Sequence, residues 1–244
     1  MMYLTREERL LPLNSIFNTR DLGGYETQEG SFTKTHKYIR AATPAHLSEE
    51  DKAYLYNYGV RVIIDLRGEN EILQAPNQMK DYKDVQYYHV DVFGDKNAAV
   101  VPQNDIEFKD MGDLYCIMLD QLQPNLKKVF DLFLKHIDQT ILFHCSAGKD
   151  RTGVISALLL DLAGCHAYDI VKDYSESFEN NKPIYDELLK IASKENQHLL
   201  LSDPLFMLKM LDHLSENYGS ARTYLKEIGL SEEEVDKLFE NFTI

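Results

Sequence analysis

One segment near the middle of the chain restricts the fold more than any other. Residues 140–143 are apolar and predict a short buried strand, and residues 154–163 predict a strongly apolar helix. Only the ten residues HCSAGKDRTG, numbered 144–153, lie between them. A strand joined to an apolar helix by so short a connection is typical of a layered α/β domain, in which helices cover a sheet.

The rest of the chain continues this alternation of strands and helices. Further strands are predicted at 38–42, 60–66 and 85–92, and helices at 48–58, about 114–121 and about 125–136. Residues 167–244 indicate helices throughout. We therefore predict a single α/β domain over residues 1–244, with a central, mainly parallel sheet flanked by helices and an extended helical C-terminal part.

Local signals mark several element ends. Ser48 is placed to begin a helix that Gly59 ends, and Ser231 with Glu234 resembles a capping box at the start of the last helix. Residues 94–112 are irregular and are a candidate lid over a site.

The acidic net charge of the chain argues against nucleic acid and anionic lipid as partners. The chain has 26 basic and 40 acidic residues, a formal net charge of −14, which repels nucleic acid and anionic lipid at long range. The apolar run at 154–160 stops at Asp161 and is too short to cross a bilayer, so no integral membrane contact is expected. The N-terminus has no signal-peptide core. We expect a cytoplasmic protein, and export after removal of a leader stays open.

The cysteine pattern favours a free thiol. The three cysteines, Cys116, Cys145 and Cys165, are too few and too scattered for a disulfide framework. No CxxC pair is present, so we predict no structural zinc site. We also predict no catalytic metal or cofactor, because a cysteine and an arginine in one loop can supply the nucleophile and the charge stabilisation. A reducing compartment would keep Cys145 available for chemistry, whereas Cys116 and Cys165 are interpreted as inert.

The spacing of Cys145 and Arg151 predicts a site for a phosphate group. If the intervening residues wrap as a loop, their N–H groups converge on one point, and the following helix adds the positive end of its dipole. Gly148 allows the chain to turn there. The predicted substrate-binding residues are therefore those of the loop and the helix start: Ser146, Ala147, Gly148, Lys149 and Thr152.

Such a site can hydrolyse a phosphomonoester in two steps. The Cys145 thiolate attacks phosphorus, Arg151 binds two phosphate oxygens, and water then hydrolyses the phosphocysteine. The leaving alcohol needs a proton from a general acid. Asp150 is the nearest candidate, and Asp91 and Asp95 are the alternatives. His144 is placed to support the cysteine and the loop from behind.

The run HCSAGKDRTG resembles the HCxxGxxR[ST] signature of the protein tyrosine phosphatase superfamily. Its Lys-Asp pair is similar to that of bacterial tyrosine phosphatases that share an Ala-Gly-Lys-Asp-Arg-Thr-Gly loop and also act on phosphoinositides. Other segments that resemble this family are 17–24 (FNTRDLGG), 38–41 (YIRA), 64–67 (IDLR) with Glu71, and 218–238. The resemblance therefore extends over nearly the whole chain.

The resemblance implies a phosphatase-like fold and a role for each loop residue. It implies Cys145 as nucleophile, Arg151 as phosphate binder, Asp150 as general acid and Lys149 as a contact for extra phosphate on inositol lipids. Ala41 departs from the serine that is common in the family. The implied substrates are phosphotyrosine proteins, with phosphoserine, phosphothreonine and phosphoinositides as extensions.

A nucleotide-binding loop is the main competing interpretation of the motif, and the sequence excludes it. A nucleotide-binding loop needs glycine at 143 and Ser or Thr at 150, and the chain has Phe143 and Asp150 instead. Arg67 and Glu71 have the helical i, i+4 spacing of a simple ion pair. The alternative functions are a phosphate-recognition module with weak catalysis, and sulfur transfer or arsenate reduction by the same nucleophile.

A motif near the N-terminus has a structural interpretation. Arg20 and Asp21, followed by two glycines, predict a buried turn that contains a charge pair.

Overall fold

A computed structural model describes residues 3–94, 108–191 and 197–244. Its strands are β1 (Arg20–Asp21), β2 (Tyr38–Ala41), β3 (Val60–Asp65), β4 (Gln86–His89) and β5 (Thr140–His144). Its helices are α1 (Arg6–Arg9), α2 (Glu49–Tyr58), α3 (Glu69–Gln74), α4 (Met111–Gln121), α5 (Gln123–Lys135), α6 (Asp150–Leu162), α7 (Ala167–Asn180), α8 (Lys182–Ile191), α9 (Pro204–Tyr218), α10 (Ala221–Glu227) and α11 (Glu232–Phe242). A short 3₁₀ helix covers Gln197–Leu200.

The five strands form one sheet in the order β1-β2-β5-β3-β4. Strands β2, β5, β3 and β4 are parallel, and only β1 pairs antiparallel, with β2. His144 at the end of β5 lies in register with Ala41 on one side and Asp65 on the other. The carboxyl ends of three parallel strands therefore meet at one edge, where α/β sheets bind ligands. The predicted fold class is confirmed.

Both faces of the sheet are covered, because its central strands are apolar on both sides. On β5, Ile141 and Phe143 enter the large core cluster, whereas Leu142 enters the smaller one. This alternation is the period of two that a strand imposes. The large cluster includes residues of α4, α5 and α6, and the smaller one includes Leu55 of α2.

Helix α6 lies in the centre of the helical layer. Eleven of its thirteen residues are buried, as expected for a helix that is apolar on all sides. Helices α7 and α10 pack on it, and α9 packs on α4, α7 and α10. The predicted helical C-terminal part is therefore confirmed in the segments that the structure describes, and it is built around the helix that follows the cysteine loop.

The predicted caps at both ends of α2 and at the start of α11 are present. The Ser48 side chain accepts from the Asp51 N–H, and Gly59 ends α2 at a φ of 117°. Ser231 and Glu234 form the reciprocal capping box that starts α11. These signals act within one turn of the chain, so they can be identified without knowledge of the fold.

Helix α6 begins at Asp150 and not at the predicted residue 154, so the last four residues of HCSAGKDRTG are helical. Strand β4 covers Gln86–His89, which is shorter than the predicted 85–92. The candidate lid at 94–112 falls mainly outside the described residues, which end at 94 and resume at 108. Among the residues described, no helix is both long and apolar enough to cross a bilayer.

Candidate active site

The cysteine loop, residues 145–149, connects β5 to α6 in one tight turn. The turn depends on Gly148, which has a φ of +64°. A side chain at this position would overlap the backbone carbonyl of Ala41 at the end of β2. Glycine is needed here for two reasons, since the backbone is left-handed and a neighbouring strand lies against it.

The N–H groups and the carbonyl groups of the loop differ in whether they have hydrogen-bond partners. Among the described residues, the N–H groups of 146–149 donate no hydrogen bond to a protein acceptor. Each carbonyl from Cys145 to Gly148, in contrast, has a hydrogen-bond partner. Free N–H groups on one side of a tight loop, next to the start of a helix, form an anion-binding nest.

Cys145 begins this loop, and Arg151 lies in the first turn of α6 directly after it. They are 2% and 6% exposed, so both are shielded from bulk water, which strengthens their electrostatic interaction. Burial alone would lower the pKa of Arg151. Its hydrogen bonds to Glu71 and the negative charge of Cys145 instead raise that pKa above the ordinary value. The guanidinium therefore stays charged beside the sulfur.

Glu71 is a site residue that sequence reasoning missed. It accepts two hydrogen bonds from Arg151, at 2.6 and 2.8 Å, and one from the Ser146 hydroxyl. Burial would raise the pKa of Glu71, but Arg151 and Ser146 lower it to about 2. The carboxylate is thus ionised at neutral pH and holds the guanidinium in a planar, two-point contact.

The predicted Arg67–Glu71 ion pair is wrong. Arg67 pairs instead with Asp65, with Nη2 2.7 Å from Oδ2. The i, i+4 rule fails because Arg67 precedes α3 and is not on its surface. Glu71 follows the carboxyl end of β3, at the same sheet edge as the loop, and this placement was the available signal that it could serve Arg151.

Asp150 begins α6 and is hydrogen-bonded to a buried tyrosine. Tyr115 donates its hydroxyl to Asp150 Oδ1 at 2.5 Å and is 2.7 Å from the hydroxyl of Tyr174. Burial and the charge of Asp150 raise the pKa of Tyr115 well above its usual range, so the phenol keeps its proton. The side chain of Asp150 is 21% exposed. It is therefore positioned by the protein and still accessible.

Of the two alternative acids, only the surroundings of Asp91 are described. Asp91 accepts from the N–H groups of Phe93 and Gly94 at 3.0 and 3.1 Å, so it stabilises its own turn. Asp95 lies outside the described residues. Asp150 is the candidate that directly follows the cysteine loop, at the start of α6.

Lys149 is buried and does not face an open surface. Its ammonium donates to the backbone carbonyls of Leu199 and Leu201, at 2.5 and 3.0 Å, and lies 3.4 Å from Asp150 Oδ1. In this conformation it links the loop to the segment that follows α8. Its contact with a phosphate of the substrate remains a prediction.

His144 lies directly before the cysteine loop, and Thr152 lies shortly after it. His144 Nδ1 lies 2.9 Å from the Cys145 carbonyl, and its Nε2 lies 2.8 Å from Asn77 Nδ2. Burial lowers the pKa of His144, which favours a neutral ring that orients the loop. The Thr152 hydroxyl is buried and has no hydrogen-bond partner in the residues described, so it is available to the thiolate or to a ligand.

The N-terminal motif forms a buried network behind the loop. Arg20 pairs with Asp173 at 2.8 Å and not with Asp21. Asp21 instead accepts from the backbone of Gly23 and His36. The expected burial of both residues is observed, but the predicted turn-local charge pair is wrong, because the counter-charge comes from α7.

No group of three or more metal-ligating side chains occurs in the described ranges. The described site combines the Cys145 sulfur, the Arg151 guanidinium, the carboxylates of Glu71 and Asp150, and the loop N–H groups.

Comparison with known proteins identifies the family of the chain. A model described as "Tyrosine phosphatase family" matches residues 11–244. The chain belongs to the tyrosine phosphatase family, and it is a phosphatase.

Two relatives of this phosphatase cover most of its length. A tyrosine-protein phosphatase of Nostoc commune is 30% identical in an alignment of 221 positions, which covers 82% of this chain and 72% of the relative. The triple specificity protein phosphatase PtpB of Mycobacterium tuberculosis is 23% identical in an alignment of 273 positions, which covers 93% of this chain and 96% of the relative. Among solved structures, the citrate complex of the PP-IP phosphatase SIW14 core from S. cerevisiae has a TM-score of 0.41 at 19% identity. It covers 77% of this chain and 96% of its own.

Proposed function

We propose that this phosphatase hydrolyses phosphotyrosine in proteins through a phosphocysteine intermediate, as one catalytic domain over residues 1–244. The observation that carries the proposal is the loop at 146–149 beside Cys145 and Arg151, whose N–H groups have no protein acceptor in the part of the chain that the structure describes. This arrangement supplies a nucleophile and the charge stabilisation that phosphoryl transfer requires.

In the first step the Cys145 Sγ–phosphorus bond forms and the bond from phosphorus to the leaving oxygen breaks. Asp150, in its protonated form, gives its proton to that oxygen. The three remaining phosphate oxygens accept from the loop N–H groups and from Arg151, which Glu71 holds in position. Electron density thus moves from the thiolate to the leaving group without a change in oxidation state.

In the second step a water molecule attacks the phosphorus of phosphocysteine. The deprotonated Asp150 takes a proton from this water, the Sγ–phosphorus bond breaks, and inorganic phosphate and the thiolate are released. Asp150 therefore acts first as acid and then as base. In this proposal the Thr152 hydroxyl, which is buried without a partner in the described residues, donates a hydrogen bond to the released thiolate.

The proposed substrate range extends to phosphoserine, phosphothreonine and phosphoinositides. Its support is the Lys-Asp pair at 149–150 and the triple specificity named for the M. tuberculosis relative. For a phosphate to reach Lys149, the ammonium must exchange its two backbone carbonyl partners for substrate oxygens. Lys149→Ala should then weaken phosphoinositide hydrolysis more than phosphotyrosine hydrolysis.

The test is hydrolysis of an aryl phosphate, phosphotyrosine peptide, phosphoserine peptide and phosphoinositide in the presence of a chelator. Cys145→Ser should abolish turnover of every substrate, and vanadate should inhibit the unmodified protein. Cys116→Ser is the matched control, since Cys116 contacts the Lys209 carbonyl away from the loop. Binding of a phosphopeptide without turnover would establish the phosphate-recognition alternative. Activity retained by Cys145→Ser would exclude the cysteine mechanism.

A further inference from the structure

The outer side of the cysteine loop is held by asparagines from distant parts of the chain. Asn18 Nδ2 lies 3.0 Å from the carbonyls of both Ala147 and Gly148. Asn181 Nδ2 lies 2.9 Å from the Ala147 carbonyl. Asn18 comes from the turn before β1, and Asn181 is the residue that ends α7. The two amides are 3% and 0% exposed, so water does not compete for these bonds.

The hydrogen bonds from the two asparagines to these carbonyls also determine the direction of the neighbouring loop N–H groups. In a planar trans peptide, the carbonyl of one residue and the N–H of the next face opposite directions. The bonds to the Ala147 carbonyl therefore turn the Gly148 N–H away from the asparagines, and those to the Gly148 carbonyl do the same for Lys149. Both are among the groups that have no protein acceptor in the described ranges.

The orientation of Asn18 is itself determined by buried charge. Its Oδ1 accepts from Arg20 Nη1, and Arg20 is held by Asp173 at 2.8 Å. The amide nitrogen of Asn18 must then face the loop, so Nδ2 is the atom that donates to the loop carbonyls. Asn18 also has a φ of +54°, a left-handed conformation that asparagine tolerates better than most residues.

We propose that Asn18 and Asn181 are positioning residues for phosphate binding and transfer. They orient the peptide units of 147–149 so that N–H groups face the phosphate before it arrives. This inference rests on the proposed function, because the oriented groups are those that receive the phosphoryl oxygens. Arg40 supports the same carbonyl of Gly148 at 2.7 Å, but its pairing with Asp173 makes it a poor test residue.

The experiment measures the affinity of inorganic phosphate in a Cys145→Ser background by calorimetry, together with kcat and KM for an aryl phosphate in the active protein. Asn18→Gly removes the amide without straining the left-handed backbone, and Asn181→Ala removes the other donor. Each single variant should weaken phosphate binding roughly three- to tenfold and lower kcat/KM by at least as much. The double variant should lose more than either single one.

Tyr224→Phe is the matched control, because Tyr224 also donates a buried hydrogen bond to a carbonyl, that of Leu119, outside the loop. It should lower the melting temperature while leaving phosphate affinity unchanged. Asparagine variants that lose thermal stability but keep phosphate affinity would overturn the proposal. If the double variant does not fold, the phosphate affinities of the two single variants provide the test. If phosphate affinity falls but no version of the protein turns over, the proposed hydrolysis fails and the positioning role stands.

Discussion

At the scale of single residues, the site depends on partners for its charged groups. Arg151 is 6% exposed, and a buried guanidinium needs a counter-charge that also fixes its plane. Glu71 supplies both, since its two oxygens each accept from a different guanidinium nitrogen. A phosphate that enters the loop therefore meets an arginine that is already oriented.

Glu71→Gln should reduce activity by weakening this orientation. The amide keeps the shape but loses the charge and one acceptor, and hydrogen bonds to charged groups contribute about 1.5–3 kcal/mol. We expect kcat/KM for an aryl phosphate to fall by about one to two orders of magnitude. Glu69→Gln, an exposed change in the same helix, should leave it unchanged. An unaltered rate in Glu71→Gln would show that Arg151 needs no such partner.

Tyr115→Phe should impair the transfer of a proton to the leaving group. The variant removes the phenol that holds Asp150 at 2.5 Å, so the carboxyl loses its preferred orientation. Alkyl phosphates, whose leaving groups need the proton, should lose roughly ten- to a hundredfold in kcat, and activated aryl phosphates much less. Equal losses for both substrates would separate Tyr115 from acid catalysis. Tyr224→Phe again serves as the control.

The residue scale shows what a motif can and cannot predict. Cys145, Arg151 and Asp150 lie within one short run, so their proximity follows from the sequence. Glu71, Tyr115 and the two asparagines lie 30 or more residues away from the loop, and no local pattern identifies their partners. The wrong pairing of Arg67 with Glu71 has the same cause, because local spacing was applied where tertiary contacts decide.

At the scale of elements, the feature that forms the site is the connection of β5 to α6 by the cysteine loop. Periodicity predicted both elements, since each contains a continuous apolar run. It placed the helix start four residues late, at 154 and not at 150, because the first helical turn has the polar residues of the site. Helix starts that bind anions lack the apolar pattern by which helices are recognised.

Gly148→Ala should disrupt the connection between β5 and α6. The new side chain would be in a left-handed backbone, at a cost of about 1–2 kcal/mol, and would also overlap the Ala41 carbonyl. Gly164→Ala provides a close control, because its φ is +78° and no atom lies within 4 Å of the added carbon. Urea denaturation should show a loss in both variants, larger for Gly148→Ala. Activity should disappear only in Gly148→Ala, and retained activity there would refute the tight-turn requirement.

At the scale of the whole molecule, a buried ionic network connects the N-terminal strands to α7. Asp173 of α7 contacts Arg20 of β1 and Arg40 of β2, and all three are at most 1% exposed. Arg40 continues the network to the Gly148 carbonyl. Helix α7, the N-terminal strands and the cysteine loop are therefore coupled through one carboxylate, which the sequence motif alone did not reveal.

Asp173→Asn should destabilise the fold by about 3–5 kcal/mol, because buried Arg40 loses its paired carboxylate and Arg20 retains only the more distant Glu176, at 3.8 Å. The same carboxylate predicts how stability depends on pH. Burial would raise the pKa of Asp173, but Arg20 and Arg40 lower it below its ordinary value. Its contribution is therefore complete above the unfolded pKa near 4 and is lost as pH falls further.

Denaturant unfolding between pH 7 and 3 would test this linkage. The unmodified protein should lose stability below about pH 4, with Glu71 adding to the loss between its unfolded pKa and its folded value of about 2. Neutralising surface carboxylates acts in the opposite direction at first, since the chain has a net charge of −14 at pH 7. Asp173→Asn should show a shallower acid dependence, whereas Asp131→Asn, at an exposed pair with Lys127, should follow the unmodified curve. An acid dependence as steep in Asp173→Asn as in the unmodified protein would mean that the buried network does not determine acid stability.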